Sequence, residues 1–543
     1  MSIVDHGRPP SRGPFRLVGV ALVVALALAG CGSGGSTGAA PTGPARPGGT
    51  LRVAVSSDQG CVDPQQVGSN DSIYSARQLV DSLTDQDPGT GRITPWLATA
   101  WEPNQDASAY TFTLREGVTF GDGTPLTAEV VRQNFDRIPE LGARATLAKG
   151  YLAGYRGTTV EGPTRFTVRF AAPNVQFLQG TSTHSLGILA PATVSRSDDE
   201  RCQRVVGTGP FVLGDYVKNL SITLTRRAGY RWGSPLWAHQ GEAYLERLEF
   251  RIVPESGVRT GSLVSGEVDA IGSIGQQDEQ PLTTAGVQLL DRANPGIPFG
   301  ISFNLARPLV SEPAVRAALS LSVDRPELVS AVFTSKTRPA TGVLSSTTPA
   351  YADAGAALRF DPDQAGATLD AAGWRPGPDG IRVRDGRRLG FALTFFSNAA
   401  TNKPALELIQ QQARRVGIEL RLVERPIAEN TQVQQGGDFE AIWGNITRAD
   451  PDILRGWYWT GGANYYRFPP GELDGVLTAQ AGAADPARRA ELVAAAQRRL
   501  LREHSVVPVV ELSTVLGVAP GVRGVRFDAS SRITLSDASK AED

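Results

Sequence analysis

Between Trp443 and Tyr466 the chain reads WGNITRADPDILRGWYWTGGANYY, a window that mixes aromatic rings with polar and charged groups. The Arg448 guanidinium is of the type that meets a carboxylate through two parallel hydrogen bonds. Trp457, Trp459 and Tyr465, with Tyr458 and Tyr466, offer faces that stack on a ligand or line an adaptable pocket. Asn445, Thr447 and Asp450 add neutral and anionic hydrogen-bonding groups. The alternatives are a solvated loop arginine at 448 and plain packing by the rings. This chemistry is recognition, not turnover. The sequence contains no HExxH, GxSxG or P-loop pattern, and His184, His239 and His504 are scattered. Gly207-Thr208-Gly209-Pro210-Phe211 is glycine-rich, but Val212 breaks the dinucleotide fingerprint and Pro210 lacks the N–H that a phosphate-binding helix start presents. A structural turn is expected there. No catalytic residue, cofactor or metal is predicted.

Arg8, Arg12 and Arg16 precede an apolar run from Leu17 to Ala29, which ends in Leu28-Ala29-Gly30-Cys31. The run is too short to span a bilayer comfortably, and small residues before a cysteine match the bacterial lipoprotein box. Residues 1–30 therefore read as a signal peptide removed before Cys31, whose thioether-linked diacylglycerol and further acyl chain would anchor the protein stably. Residues 31–49 are mostly Gly, Ser, Thr, Ala and Pro and read as a flexible tether. Export into an oxidising compartment makes Cys61 and Cys202 a disulfide candidate, with a metal site as the other reading. The 543 residues carry 54 Lys and Arg against 55 Asp and Glu, interspersed without a basic stripe, so nucleic acid is not an expected partner. A chain this long predicts two or three domains.

The elements that must hold such a window are clearest from Thr94 to Ile138. Tyr110, Phe112 and Leu114 alternate with polar residues as in a half-buried strand, Gly121-Asp122-Gly123 makes a turn, and Thr127 caps a helix burying Val130, Val131, Phe135 and Ile138. Pro95-Trp96-Leu97-Ala98, Trp101 and TFTLREGVTFGDGTPLTAEVV within this stretch resemble the extracytoplasmic solute-binding proteins of peptide-type ABC importers, the family 5 dipeptide- and oligopeptide-binding group. Further strands are predicted at 166–170, 244–253, 389–396 and 418–422, and helices from Pro313, Pro404 and Pro486. Asp324 with Glu327 reads as a capping box, and strand, helix, strand order after residue 389 favours a parallel crossover.

The resemblance implies a two-lobed α/β fold of periplasmic-binding-protein type, with an enlarged first lobe and two hinge strands. Residues 50–298 and 509–543 would form lobe I and residues 299–508 lobe II, the first crossing falling near Pro298 to Asn304. It implies a ligand-binding part of an ABC importer that captures short peptides or a related small solute between the lobes. Its partners would be permease subunits, with the cognate ATPase met only indirectly. A monomer, lipid-anchored on the outer face of the cytoplasmic membrane, is expected; the alternatives are a secreted hydrolase and a ligand-sensing lipoprotein without a transport role. Ser57, Gln59 and Gly60 from the first loop, Asn304 near the hinge, and Trp443 with Asp450-Pro451-Asp452 match family positions. Where the family's ammonium-binding aspartate is expected, this chain has Ile446 or Thr447. A buried ammonium needs a paired anion, so capture of a peptide N-terminus is disfavoured.

Overall fold

The computed structural model describes residues 46–541, so the expected signal peptide, Cys31 and most of the tether lie outside the described residues. The Gly48 N–H already donates to the Tyr244 carbonyl (2.8 Å), so the chain joins the body just before the strand Thr50–Val55. Among the described residues no helix is long and apolar enough to cross a membrane.

Three sheets carry the fold. A seven-stranded sheet runs, edge to edge, through Gln288–Ala293, Ser513–Val518, Ala270–Ile271, Thr50–Val55, Arg247–Ile252, Ser221–Arg226 and Phe211–Val217. A four-stranded antiparallel sheet, Ala98–Pro103, Ala109–Leu114, Arg165–Phe170 and Tyr155–Val160, enlarges the first lobe. Its inner face buries Tyr110, Phe112, Leu114, Phe166 and Val168, the residues that alternation predicts, under the helix Ala128–Glu140. Thr127 caps that helix by accepting from the Val130 N–H (3.4 Å). The second lobe is a six-stranded sheet of Arg338–Pro339, Val506–Glu511, Gly296–Phe303, Ala441–Thr447, Gly390–Phe396 and Glu419–Arg425. The last two strands pair parallel across the helix Asn402–Arg415, as the strand, helix, strand order requires.

Gly207 and Gly209 are explained by close approach rather than by phosphate binding. A Cβ on Gly207 would lie 2.1 Å from the Leu79 carbonyl oxygen, and one on Gly209 2.5 Å from the Leu79 carbonyl carbon. Only glycine lets this turn lie against the segment Arg77–Val80. Cys61 and Cys202 are disulfide-bonded across 141 residues. Beside the bridge, Arg201 and Asp63 form a fully buried ion pair (2.9 Å).

The chain leaves the seven-stranded sheet after Ala293 and enters the six-stranded sheet at Gly296; it returns between Glu511 and Ser513. The crossings thus fall at residues 294–295 and 512, against the expected 298 and 508, and Pro298 to Asn304 lies mostly inside a second-lobe strand. The crossing segments are tied together, Asn294 N–H to the Leu512 carbonyl (2.7 Å) and Thr514 Oγ1 to Asn294 Oδ1 (2.7 Å). Glu511, buried at the end of its strand, accepts from the Ser346 N–H (2.9 Å) and Oγ (2.7 Å), which clamps a second-lobe loop onto the hinge.

Where the two sheets of the first lobe meet, Asp81 accepts from the Tyr230 hydroxyl (3.0 Å) and the Trp232 indole (2.9 Å). Burial pushes its carboxyl up to about 7, and that of Asp85 up to about 6, against the opposing pull of Arg77. A carboxyl whose folded pKa is raised supplies stability below its unfolded pKa, near 4, and loses it as pH rises through the folded value. His184, held well below its ordinary value, has the opposite sign and acts as pH falls below about 6.5. Thermal melts from pH 5 to 8 are therefore expected to show wild-type protein losing stability toward pH 8 relative to Asp81→Asn. Parallel profiles would show that Asp81 is not the group responsible.

Candidate functional site

The second lobe meets the first along a seam around Arg448, just past the strand Ala441–Thr447. The Arg448 N–H donates to the Pro295 carbonyl in the hinge (3.0 Å), which fixes the base of the side chain. Its guanidinium lies over the ring of Tyr151 in the first lobe, 4.6 Å from the centroid, and donates to Gln176 Oε1 (3.0 Å). Arg448 is half-buried, so the alternative of a solvated loop arginine does not describe it. Next to it the Ala449 carbonyl accepts from Gln86 Nε2 of the first lobe (3.3 Å). One residue further, Asp450 takes two hydrogen bonds from Arg489 (2.6 and 2.9 Å) and accepts from the Asp452 N–H (2.8 Å). Burial works against the Arg489 charge, and the Asp450 carboxylate beside it more than offsets this, so its pKa is raised.

On the first-lobe side the helix Thr146–Tyr151 supplies Tyr151, the turn Phe177–Gly180 supplies Gln179, and His184 follows at the start of His184–Leu186. Gln179 is 2% exposed, with neither its Oε1 nor its Nε2 partnered, and His184 Nε2 is also without a partner among the described residues. Arg532 acts on Tyr74, Tyr151 and His184 and keeps its Nε unpartnered, so a second guanidinium serves the same neighbourhood. Burial raises the Tyr151 phenol and lowers the His184 imidazole, with Arg532 and Arg77 adding to the latter, so both stay neutral near pH 7. Guanidinium donors and neutral polar groups, with the Asp450 carboxylate already paired, suit an anionic or neutral polar ligand. They do not suit an ammonium.

The other sequence-selected residues fall in several places. Trp443 is 2% exposed, stacked on Phe299 (5.2 Å) with its indole donating to Asn402 Oδ1 (3.0 Å), inside the second-lobe core. Asn304 is buried and donates to the carbonyls of Gly437 and Phe439 (3.0 and 3.1 Å). Asn445 and Thr447 are half-buried on their strand, Thr447 opposite Gly296. Trp457, Trp459 and Tyr465 are partly buried against the second core of that lobe, with Trp457 tilted on Tyr466 (5.5 Å). Ser57 donates through N (3.0 Å) and Oγ (3.1 Å) to Asp71. Gln59 and Gly60 edge a different hollow, beside the disulfide, where Lys218 lies over Gly60. The structure therefore gathers Arg448 with Tyr151, Gln176 and Gln179, and it turns Asp450, Asn304 and Trp443 to internal bonds. Gln179 and His184 carry no local sequence signal; only the chain's return brings them near residue 448. Among the described residues, no group of three or more His, Cys, Asp or Glu is placed to hold a metal ion.

The glutathione-binding protein GsiB of Escherichia coli K12 is 25% identical over 503 residues, 90% of this chain and 93% of that protein. The nickel-binding periplasmic protein of the same strain is 25% identical over 397 residues, 70% of this chain and 73% of its own. The crystal structure of NikA from Brucella suis in complex with Fe(III)-EDTA superposes with a TM-score of 0.79 at 22% identity, covering 91% of this chain and all of that one, which shows the two-lobed fold. Both named relatives are solute-binding proteins, not enzymes. The model for bacterial extracellular solute-binding proteins, family 5 Middle, matches residues 92–466, and the chain belongs to that family.

Proposed function

We propose that this protein is the lipid-anchored receptor of an ABC importer, and that it captures a small solute bearing at least one carboxylate between its lobes. The observation that carries the ligand class is Arg448, a half-buried guanidinium at the seam, surrounded by neutral groups of the first lobe. Glutathione and EDTA, in the names of two relatives, both carry several carboxylates, as do acidic short peptides. Hinge closure over such a solute would offer both lobe surfaces to the permease, with the ATPase reached only through it. Monomeric receptors without nucleic-acid contacts fit the balanced charge. Native mass spectrometry of protein purified without refolding tests the ligand class. A co-purified mass with carboxylate groups supports it; a ligand with none removes it.

The anchor has its own test. Cys31→Ala is expected to move the protein from the detergent phase to the aqueous phase in detergent partitioning, with processing before residue 31 lost. A variant that remains membrane-bound would contradict lipidation at Cys31.

A further inference from the structure

We propose that the first lobe contains a second binding cavity, separate from the interlobe seam, which takes a small organic anion with an apolar body and couples its occupancy to the hinge. The cavity has a volume of about 790 Å³, within the range of small-ligand sites. Its walls include the turn Asp85–Gly89, Trp237, Leu290, Arg292 and Phe527, and no residue of the second-lobe sheet lines it.

The charge at its walls is unbalanced in one direction. Arg77, 4% exposed, donates to Ser82 Oγ (2.8 Å) and the Ser182 carbonyl (3.4 Å). Arg292 donates to the Pro88 carbonyl (2.6 Å), the Ala293 carbonyl (3.2 Å) and Ser531 Oγ (3.4 Å). All these partners are neutral, and among the described residues neither guanidinium forms an ion pair. The carboxylates around them are engaged. Asp87 accepts from the N–H groups of Gly89 and Thr90, Asp528 from those of Ser530 and Arg532, and Asp291 faces Lys336 (3.4 Å). Arg526 is matched by Asp537 (3.5 Å). Asp85, bonded to Ser234 Oγ, is pushed by burial toward its neutral form. Two partly desolvated guanidiniums without counter-ions favour an incoming anion, and Trp237, Leu290 and Phe527 favour an apolar body behind it.

The coupling follows from where the walls lead. Arg292 lies on the strand Gln288–Ala293, which runs directly into the first crossing at residues 294–295, and its bonds to Pro88 and Ser531 restrain that strand. Gln86, 4% exposed with Oε1 unpartnered, lines the cavity while its Nε2 reaches the Ala449 carbonyl of the second lobe. An anion that competes for Arg292 changes contacts that differ between lobe positions, which is the condition for a ligand to shift the hinge equilibrium.

The test is calorimetric titration of the full folded protein with 3-phenylpropionate, and with 3-phenylpropylamine as its charge-reversed counterpart. Saturable binding of one equivalent of the acid is expected, with the amine bound at least about tenfold more weakly, the scale of one charge-assisted hydrogen bond. Arg292→Gln and the cavity-filling Leu290→Trp, each checked for native melting, should both weaken the acid about tenfold, whereas Arg448→Gln should leave it unchanged. The absence of saturation at millimolar acid, equal binding of the amine, insensitivity to both cavity variants, or loss on Arg448→Gln would each overturn the proposal. The last outcome would place the anion at the seam and leave the function proposed above intact.

Discussion

Alanine at both Cys61 and Cys202 is expected to lower the stability of the oxidised protein by roughly 5 kcal/mol, the loop-closure entropy of a bridge this long. The bridge spans 141 residues and joins the first loop of the body to the end of the helix Asp198–Arg201. Its surroundings are built around it. Val67, Ile73 and Ala76 pack on the two cysteines, and the Val62 N–H donates to the Cys202 carbonyl (3.0 Å). The buried Arg201–Asp63 pair next to the bridge depends on the same register. Opening the loop therefore removes a restraint on the unfolded chain and loosens a charged pair that cannot tolerate separation in the interior. Urea unfolding with and without reductant measures the effect: reduced wild-type protein should unfold at the midpoint of the double-alanine variant. Two reactive thiols in denatured, unreduced protein, or a difference under roughly 1 kcal/mol, would contradict the account.

Arg489→Met is expected to cost about 3–5 kcal/mol, because it leaves the Asp450 carboxylate buried without its partner. Asp450 is 5% exposed and takes both of its strong hydrogen bonds from Arg489, while its Oδ1 also receives the Asp452 N–H. The double variant Asp450→Asn with Arg489→Met should recover more than half of the loss, since no charge is then stranded. Chemical unfolding of the four proteins in the cycle gives the coupling directly. Additive single effects would mean that the pair is not the unit drawn from the geometry. Arg448 lies two residues before Asp450, so the single Arg489 variant is also expected to loosen the seam more than the double variant does.

The parts of the fold that were legible in the sequence are those written in local periodicity and local chemistry. The alternation at Tyr110, Phe112 and Leu114, the cap at Thr127, the Asp324 cap that accepts from the Glu327 N–H (3.0 Å), and the helix ending before Gly417 each need only a few neighbouring residues. The crossing points are different in kind. A strand that leaves one sheet for another keeps the same alternation, so the apolar run GIPFGISF gives no mark of where the hinge ends, and the crossing at residues 294–295 is fixed instead by the bond of Asn294 to Leu512.

The site was legible only as a neighbourhood. Window membership drew attention to Arg448, but it could not separate Arg448 from Asp450, whose partner lies 39 residues away on another helix. Trp443 and Asn304 have the composition of ligand contacts, yet long-range packing against Phe299 and the 437–439 turn commits them to the core. Gln179 and His184 belong to an unremarkable polar stretch, and the burial that leaves their polar atoms unpartnered is a property of the folded chain alone.

The most direct measurement is the affinity of the co-purified solute, once its mass is known, for wild-type and Arg448→Gln protein of equal melting temperature. Loss of a charge-assisted pair with a ligand carboxylate predicts binding weaker by about 10- to 100-fold, and an analogue whose carboxylate is amidated should bind both proteins alike. Equal affinity of the two proteins for the unmodified solute would contradict the assignment of Arg448 as the carboxylate-reading residue.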